Sequence, residues 1–353
     1  MVAVKETENI IMNSKRYDYL DVAKGLGILL VVIAHINYTP PLLTTIYSFH
    51  MPLFFFLSGM VFNRSRYTNF RSFIKRKLQT LICPYILFYV LSILYRFCVD
   101  FLSDSQNIDW GKFLNLFLQM FLSQGSGNLP NAPLWFVPCL FAVELAYFGI
   151  SKLKNWLIIC VSVLLTGFGW FLESDLIAFE NNLLPWSLDS ALFAVGFFAL
   201  GNLMFNTICK AAEKAKTNRS HLAGCISVFL LAVIMLVPLA LYNGKVTMGS
   251  KVLNNGFIFY LTGLLGVCAI LALSILFEKN GFLKYCGRNS FQIMAVHYLI
   301  RDFIILCCLY FDIPLYDKTN LIQTILPIII NICLSLLCVA LYNKVKLLLK
   351  TVR

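Results

Sequence analysis

Apolar runs close to 20 residues long recur along nearly the whole chain, and a hydrocarbon layer of about 30 Å asks a spanning helix for about that length. Ten such runs can be parsed, near 20–38, 46–63, 79–99, 133–151, 155–172, 187–206, 222–242, 256–277, 288–311 and 321–345. Inside lipid each helix satisfies its own backbone polar groups, so the parse predicts an all-α polytopic membrane protein, a bundle of about ten transmembrane helices. A hydrophobic fraction of 59% and a mean hydropathy of +0.77 exclude an ordinary soluble domain, for which about 45 to 50% apolar residues is usual.

The net charge of +12 reads as topology and gives no reason to expect a nucleic-acid partner. With the N terminus inside, 22 of the 29 Lys and Arg fall on the cytoplasmic side, four outside, and Lys24, Arg96 and Arg301 within helices; this bias sets orientation and places both termini in the cytoplasm. The expected organisation is a short cytoplasmic segment over 1–19, one membrane domain over 20–345 and a basic cytoplasmic tail over 346–353, in the cell (inner or plasma) membrane. A polar start followed by a Lys-bearing apolar stretch that ends at His35, with no small-residue cleavage site, reads as a retained first helix. The twelve cysteines lie in apolar segments such as "LICPY" and "LCCLY" with no CxxC pair, the usage of packing residues. Within 100–132, "GKFLNLFLQMFL" places Lys112, Asn115 and Gln119 at i, i+3, i+7 among Phe and Leu, the pattern of a helix lying in the interface, and "SQGSGNLPNAP" reads as a loop. No internal repeat is visible, which weakens a transporter built from inverted halves.

The first helix is the anomaly. "DYLDVAKGLGILLVVIAH", Asp18 to His35, carries two carboxylates, a lysine and a histidine. A central Lys or Asp costs about 2.5 to 3.5 kcal/mol on insertion scales, against about 0.3 to 0.6 returned by each Leu, Ile or Val. The run from Leu26 to Ala34 leaves little surplus, so the polar face is expected to be buried among other helices. Lys24 and His35 are eleven residues apart, which puts them within about 20° of one face and about 16 Å apart along the axis. Asp18 and Asp21 are expected to pair with nearby basic groups.

Other candidates are scattered. His50 is expected to open the second helix in "SFHMPLFFFLSGMVF" at the mouth of a hairpin with His35, as base or orienting group for a hydroxyl, or simply as an interfacial residue. "RSRYTNFRSFIKRKLQT" gathers Arg64, Arg66, Arg71, Lys75, Arg76 and Lys77, suited to a polyphosphate and equally to positive-inside topology. Trp135 starts the fourth helix, Asp189 enters the sixth, and His297, Arg301 and Asp302 lie in the ninth, the last two positioned to compensate each other. No metal spacing, Walker loop or GxSxG elbow is present, so no metal ligand is expected.

Six blocks in order complete the reading: "YLDVAKGLGILLVVIAH", "FHMPLFFFLSG", "FIKRKLQTLICPY", "PLWFV", "SLDSALFAVGFFALGNL" and "GRNSFQIMAVH". Together they resemble the membrane-bound acyltransferase 3 family, most closely its fucose 4-O-acetylase-like branch of bacterial surface-polysaccharide O-acetyltransferases. The resemblance implies transfer of an acyl group from cytoplasmic acyl-coenzyme A, acetyl-CoA above all, to a hydroxyl of a cell-surface or lipid-linked glycan. No permanently bound cofactor is implied, and the partners are acyl-CoA, the glycan and membrane lipid. It implies His35 as the catalytic histidine, Lys24 as its basic partner, and Arg71, Lys75, Arg76 and Lys77 as the coenzyme-binding loop. His50, Ser58, Trp135, Asp189 and His297 are expected on the acceptor side. Lys24 stands where Arg is common in the family, and Gln79 and Thr80 where a further basic residue often stands. The rival class is a transporter or exporter of a glycan or small molecule, using Lys24, Asp21, His297, Arg301 and Asp302 as its polar pathway. Oligomeric state is left open.

Overall fold

The computed structural model describes residues 16–36, 39–103, 108–123, 129–173, 184–313 and 321–351. The expected N-terminal segment through residue 15 and the last two residues of the basic tail lie outside that set. Among the described residues the structure is nearly all helix with no strand, as the apolar runs require. In chain order the helices are α1 (Asp18–Ile36), α2 (Pro40–Val61), α3 (Phe70–Lys77), α4 (Cys83–Ser103), α5 (Trp110–Leu122), α6 (Phe136–Ile150) and α7 (Asn155–Glu173). They continue with α8 (Leu188–Thr217), α9 (Arg219–Asn243), α10 (Gly256–Leu276), α11 (Gly281–Arg288), α12 (Ser290–Tyr310) and α13 (Leu321–Thr351). Ten helical segments among the described residues are long and apolar enough to span a membrane. This is a multi-pass membrane protein.

Burial sorts the spans into centre and periphery. The apolar windows of α6 and α1 are 78% and 67% buried, that of α9 only 11%. Leu230, Leu231, Ile234 and Met235 on α9 are exposed, which costs nothing where the surrounding medium is lipid.

Small residues set how close the central helices come. A Cβ on Gly25 of α1 would lie 2.1 Å from the Leu283 carbonyl oxygen of α11, and one on Gly287 of α11 would lie 1.7 Å from that of Asp21. The pair α2 and α8 repeats the arrangement, with Gly59 against the Phe198 carbonyl and Gly201 against that of Phe56. Backbone-to-backbone approach of this kind maximises dispersion contact where lipid supplies no hydrophobic drive. Asn202 of α8 adds a lock, its amide donating to the Gly59 and Phe62 carbonyls at 3.0 and 2.8 Å at the end of α2, where helix carbonyls run short of backbone donors.

Several boundaries differ from the parse. α2 begins at Pro40, because Pro40 and Pro41 occupy the first turn, where a missing N–H is harmless. His50 therefore sits mid-helix and buried, not at the opening of the second helix. The basic α3 runs through a π turn at Leu78–Ile82 into α4, giving one 34-residue segment, Phe70–Ser103. α8 continues to Thr217, and α13 carries helix through 346–351 of the expected tail. The ninth span is α12, close to its expected bounds, and the short α11 ends just before it at Arg288. The interfacial reading agrees with α5, where Asp109 caps the Lys112 N–H at 3.0 Å and Leu114, Phe117, Leu118 and Phe121 are exposed.

Gly59→Leu forces α2 from α8 against backbone, not against a yielding side chain. Overpacking of about 1 to 3 kcal/mol or more is expected, seen as a lower thermal midpoint in detergent; Gly224→Leu on α9, where nothing lies within 4 Å, leaves the midpoint unchanged.

Candidate functional site: two cavities joined at Lys24

The stripe read from α1 is realised as a wall. Lys24, Ile28, Val31 and His35, at helical spacing, line one cavity of about 320 Å³. Tyr47, His50, Phe54 and Ser58 of α2 face it, with Trp135 and Phe136 at the start of α6 and the turn Met248–Ser250 closing the His35 end. Gly249 seats that turn on Trp135, where a Cβ would lie 2.7 Å from the ring. A second cavity of about 540 Å³ opens at the other end of α1, lined by polar groups from distant segments: Arg16, Asp21, Asn63, Ser65, Arg66, Asn202 and Asn206. Lys24 is the one described residue that lines both.

The nearby carboxylates do not use Lys24. Asp21 accepts from Arg16 at 2.8 Å and from Arg288 at 3.1 Å, and Asp18 faces Lys284 at 3.0 Å and Arg288 at 3.6 Å. The expectation that both aspartates pair with basic groups is met, by α11 as well as by Arg16. The Lys24 ammonium makes no hydrogen bond or ion pair with a described residue. A cation held in the apolar layer without a partner is costly, and an anion entering at the junction of the two cavities would remove that cost.

At the other end of the stripe the histidines share one geometry. Nδ1 of His35, His50 and His297 lies 2.8, 2.9 and 3.1 Å from the carbonyl oxygen of the residue one turn back, Val31, Ile46 and Ile293. A carbonyl only accepts, so Nδ1 carries the hydrogen and Nε2 presents a bare lone pair. Each neutral imidazole is thus oriented as a base or nucleophile. The His297 ring lies 5.1 Å from that of His35; it is fully buried and its Nε2 has no partner. Arg301 donates to Asp302 at 2.6 and 3.0 Å, as expected, and Arg96 donates to the same carboxylate from α4.

Of the expected site residues, Lys24, His35, His50, Ser58 and Trp135 converge on the upper cavity, and His297 packs against His35. Asp189 does not line it: its carboxylate accepts from the Leu184 and Ser190 N–H groups at 3.1 and 2.7 Å and faces Lys251 at 3.7 Å, bracing the cavity-closing turn. Arg71, Lys75 and Arg76 are exposed on α3 and line neither cavity. Lys77 points inward and is held by Glu144 of α6 at 2.7 Å. Sequence reasoning did not single out Tyr47, Arg16, Asn63 or Asn202; Asn202 alone carried a signal, a polar residue in the apolar "ALGNL".

Across residues 17–343 the chain matches the family model described as Acyltransferase domain, Acyl_transf_3. The chain belongs to the acyltransferase 3 family. No curated protein and no solved structure matches it. Membership of this family makes the protein a membrane acyltransferase.

Lys24→Leu removes from α1 a cation that forms no ion pair among the described residues. The variant is expected to be more stable than the parent, by up to about 3 kcal/mol on insertion scales, and a thermal melt in detergent checks this; a lower midpoint would show Lys24 to be a structural partner.

Proposed function

We propose that the protein is an O-acyltransferase, in the first place an O-acetyltransferase, that takes its acyl group from cytoplasmic acyl-CoA and delivers it to a glycan hydroxyl on the opposite side of the membrane. The observation that carries this reading is the Lys24–His35 stripe, one end in a polar cavity, the other in a cavity with basic imidazole nitrogens. The positive-inside bias supports a cytoplasmic Lys24 end. There the donor's diphosphate is met by Arg66 and Lys24, with Asn63 as a neutral donor. The exposed cations of α3, assigned to the coenzyme by resemblance, are left to attract the anionic donor or anionic lipid from the surface.

The thioester carbonyl then reaches the His35 end of the stripe, and the acceptor hydroxyl enters against Trp135 and Tyr47. His35 Nε2 takes the hydroxyl proton as the oxygen attacks the carbonyl; the C–S bond breaks, and the imidazolium returns the proton to the thiolate. The same Nε2 serves if the acyl group is first relayed through the imidazole. The Val31 carbonyl on Nδ1 stabilises the imidazolium in either course. A cavity of about 320 Å³ that must hold the acyl group and the reacting part of a sugar favours a short acyl chain. The resemblance to the fucose 4-O-acetylase-like branch points to surface polysaccharide as acceptor and to the cell membrane as location.

With labelled acetyl-CoA, His35→Ala is expected to lower transfer by about 10² to 10⁴-fold while expression and insertion persist; wild-type-like turnover in that variant would sink the assignment. Charge reversal separates the two basic regions: Arg66→Glu weakens donor affinity by tenfold or more, and Arg76→Glu, on the exposed face, weakens it by less. An equal loss in both would return the donor to α3. A transporter would leave the thioester intact in all of these assays.

A further inference from the structure

Resting on the acyltransferase reading above, this inference concerns what the acceptor must be. His35 stands between two tyrosines, with the Tyr47 ring 6.1 Å away and the Tyr298 ring 6.0 Å away. A cation lies on each: Lys245 Nζ is 5.0 Å from the Tyr47 centroid, and the Arg301 guanidinium carbon is 3.8 Å from that of Tyr298. Among the described residues these charges are only partly offset. Arg301 shares the single carboxylate of Asp302 with Arg96, which leaves one positive charge over, and Lys245 has no carboxylate partner among the described residues. The cavity lining itself contains no Asp or Glu, and Asp189, which braces the cavity-closing turn, is matched by Lys251.

The Lys245 position is built. Asn254 donates to the Asn243 and Lys245 carbonyls at 2.7 and 3.2 Å, Asn243 donates to that of Leu253 at 3.2 Å, and Thr247 pairs with Val252 through backbone bonds of 2.8 and 3.1 Å. Ser190 ties the Met248 carbonyl to α8 at 2.8 Å. Left-handed backbone at Gly244, Lys251 and Asn254 turns the loop so that one side faces the cavity and Lys245 rests on Tyr47. An oxyanion on the thioester carbonyl needs donors within about 3 Å. Cations one aromatic ring beyond His35 are too far for that, and are placed for a substituent on the acceptor.

We propose that the acceptor is an anionic saccharide, carrying a carboxylate or phosphate close to the acylated hydroxyl, and that the cation-capped tyrosines on either side of His35, with Lys245 as the accessible cation, select it. The carboxylate could belong to a sugar acid and the phosphate to a lipid-linked sugar, the shared chemistry being a fixed negative charge.

The test uses the full-length protein in detergent, labelled acetyl-CoA, and de-O-acylated envelope glycan from the source cells, divided by anion exchange into retained and unretained pools. Label is expected at least tenfold more in the retained pool, with the preference shrinking at high salt; extraction into organic solvent distinguishes a lipid-linked acceptor from a water-soluble acidic glycan. Lys245→Gln raises KM for the retained pool about fivefold without a comparable fall in kcat, and Lys245→Arg restores it. Label mainly in the unretained pool, or a Lys245→Gln defect that is equal for both pools, overturns the inference and leaves acyl transfer standing. If the parent protein cleaves no thioester with either pool, the acyltransferase assignment to this site fails, and the inference with it.

Discussion

An ammonium group that forms no ion pair or hydrogen bond among the described residues, and that lines two cavities inside the apolar layer, is the constraint around which the rest of the molecule is arranged. Lys24 could have been neutralised one turn away, where Asp21 stands on the same helix. Instead α11 packs on α1 through Gly25 and Gly287 so closely that its Lys284 and Arg288 reach Asp18 and Asp21. With Arg16 on the same carboxylate, the aspartates are fully engaged. Close packing at small residues thus has an electrostatic result: it leaves Lys24 as a standing demand for an anion at the point where the cavities meet. Its neighbours keep the polar face of α1 away from lipid, with 67% of its window buried.

The opposite end of α1 works with neutral groups. Three histidines give their Nδ1 hydrogens to helix carbonyls and keep Nε2 bare, so that basic nitrogens are available without a buried charge. The helix supplies this orientation from its own backbone, and so the motif tolerates a surrounding with few polar side chains. Trp135 and the glycine-seated turn at Gly249 then give the cavity a wall of fixed shape.

What could be read from the sequence followed from periodicity and from cost. Ten spans, the amphipathic α5 and the common face of Lys24 and His35 are consequences of helix geometry acting locally, and the structure agrees with each. Pro40 and Pro41 misled because proline ends helices and also begins them; only the fold shows which, and the difference moves His50 from the mouth of a hairpin to the middle of α2. The second cavity was not legible, since Arg16, Asn63, Arg66, Asn202 and Asn206 come together only when α8 locks onto the end of α2. Charge density drew attention to α3, but a basic run facing outward is what topology alone requires, and its one inward member, Lys77, is held by Glu144. The proximity of His297 to His35 is likewise a tertiary fact, the two being 262 positions apart in the chain.

The central claim is that one stripe of α1 connects a donor on one side of the membrane to an acceptor on the other. Its most direct test is sidedness in sealed liposomes that contain the protein in a known orientation, with labelled acetyl-CoA supplied on one side and acceptor enclosed on the other. Label should pass to the acceptor across the bilayer when the donor is on the Lys24 side, and not when the two are exchanged. Transfer only when donor and acceptor share a compartment would contradict the account.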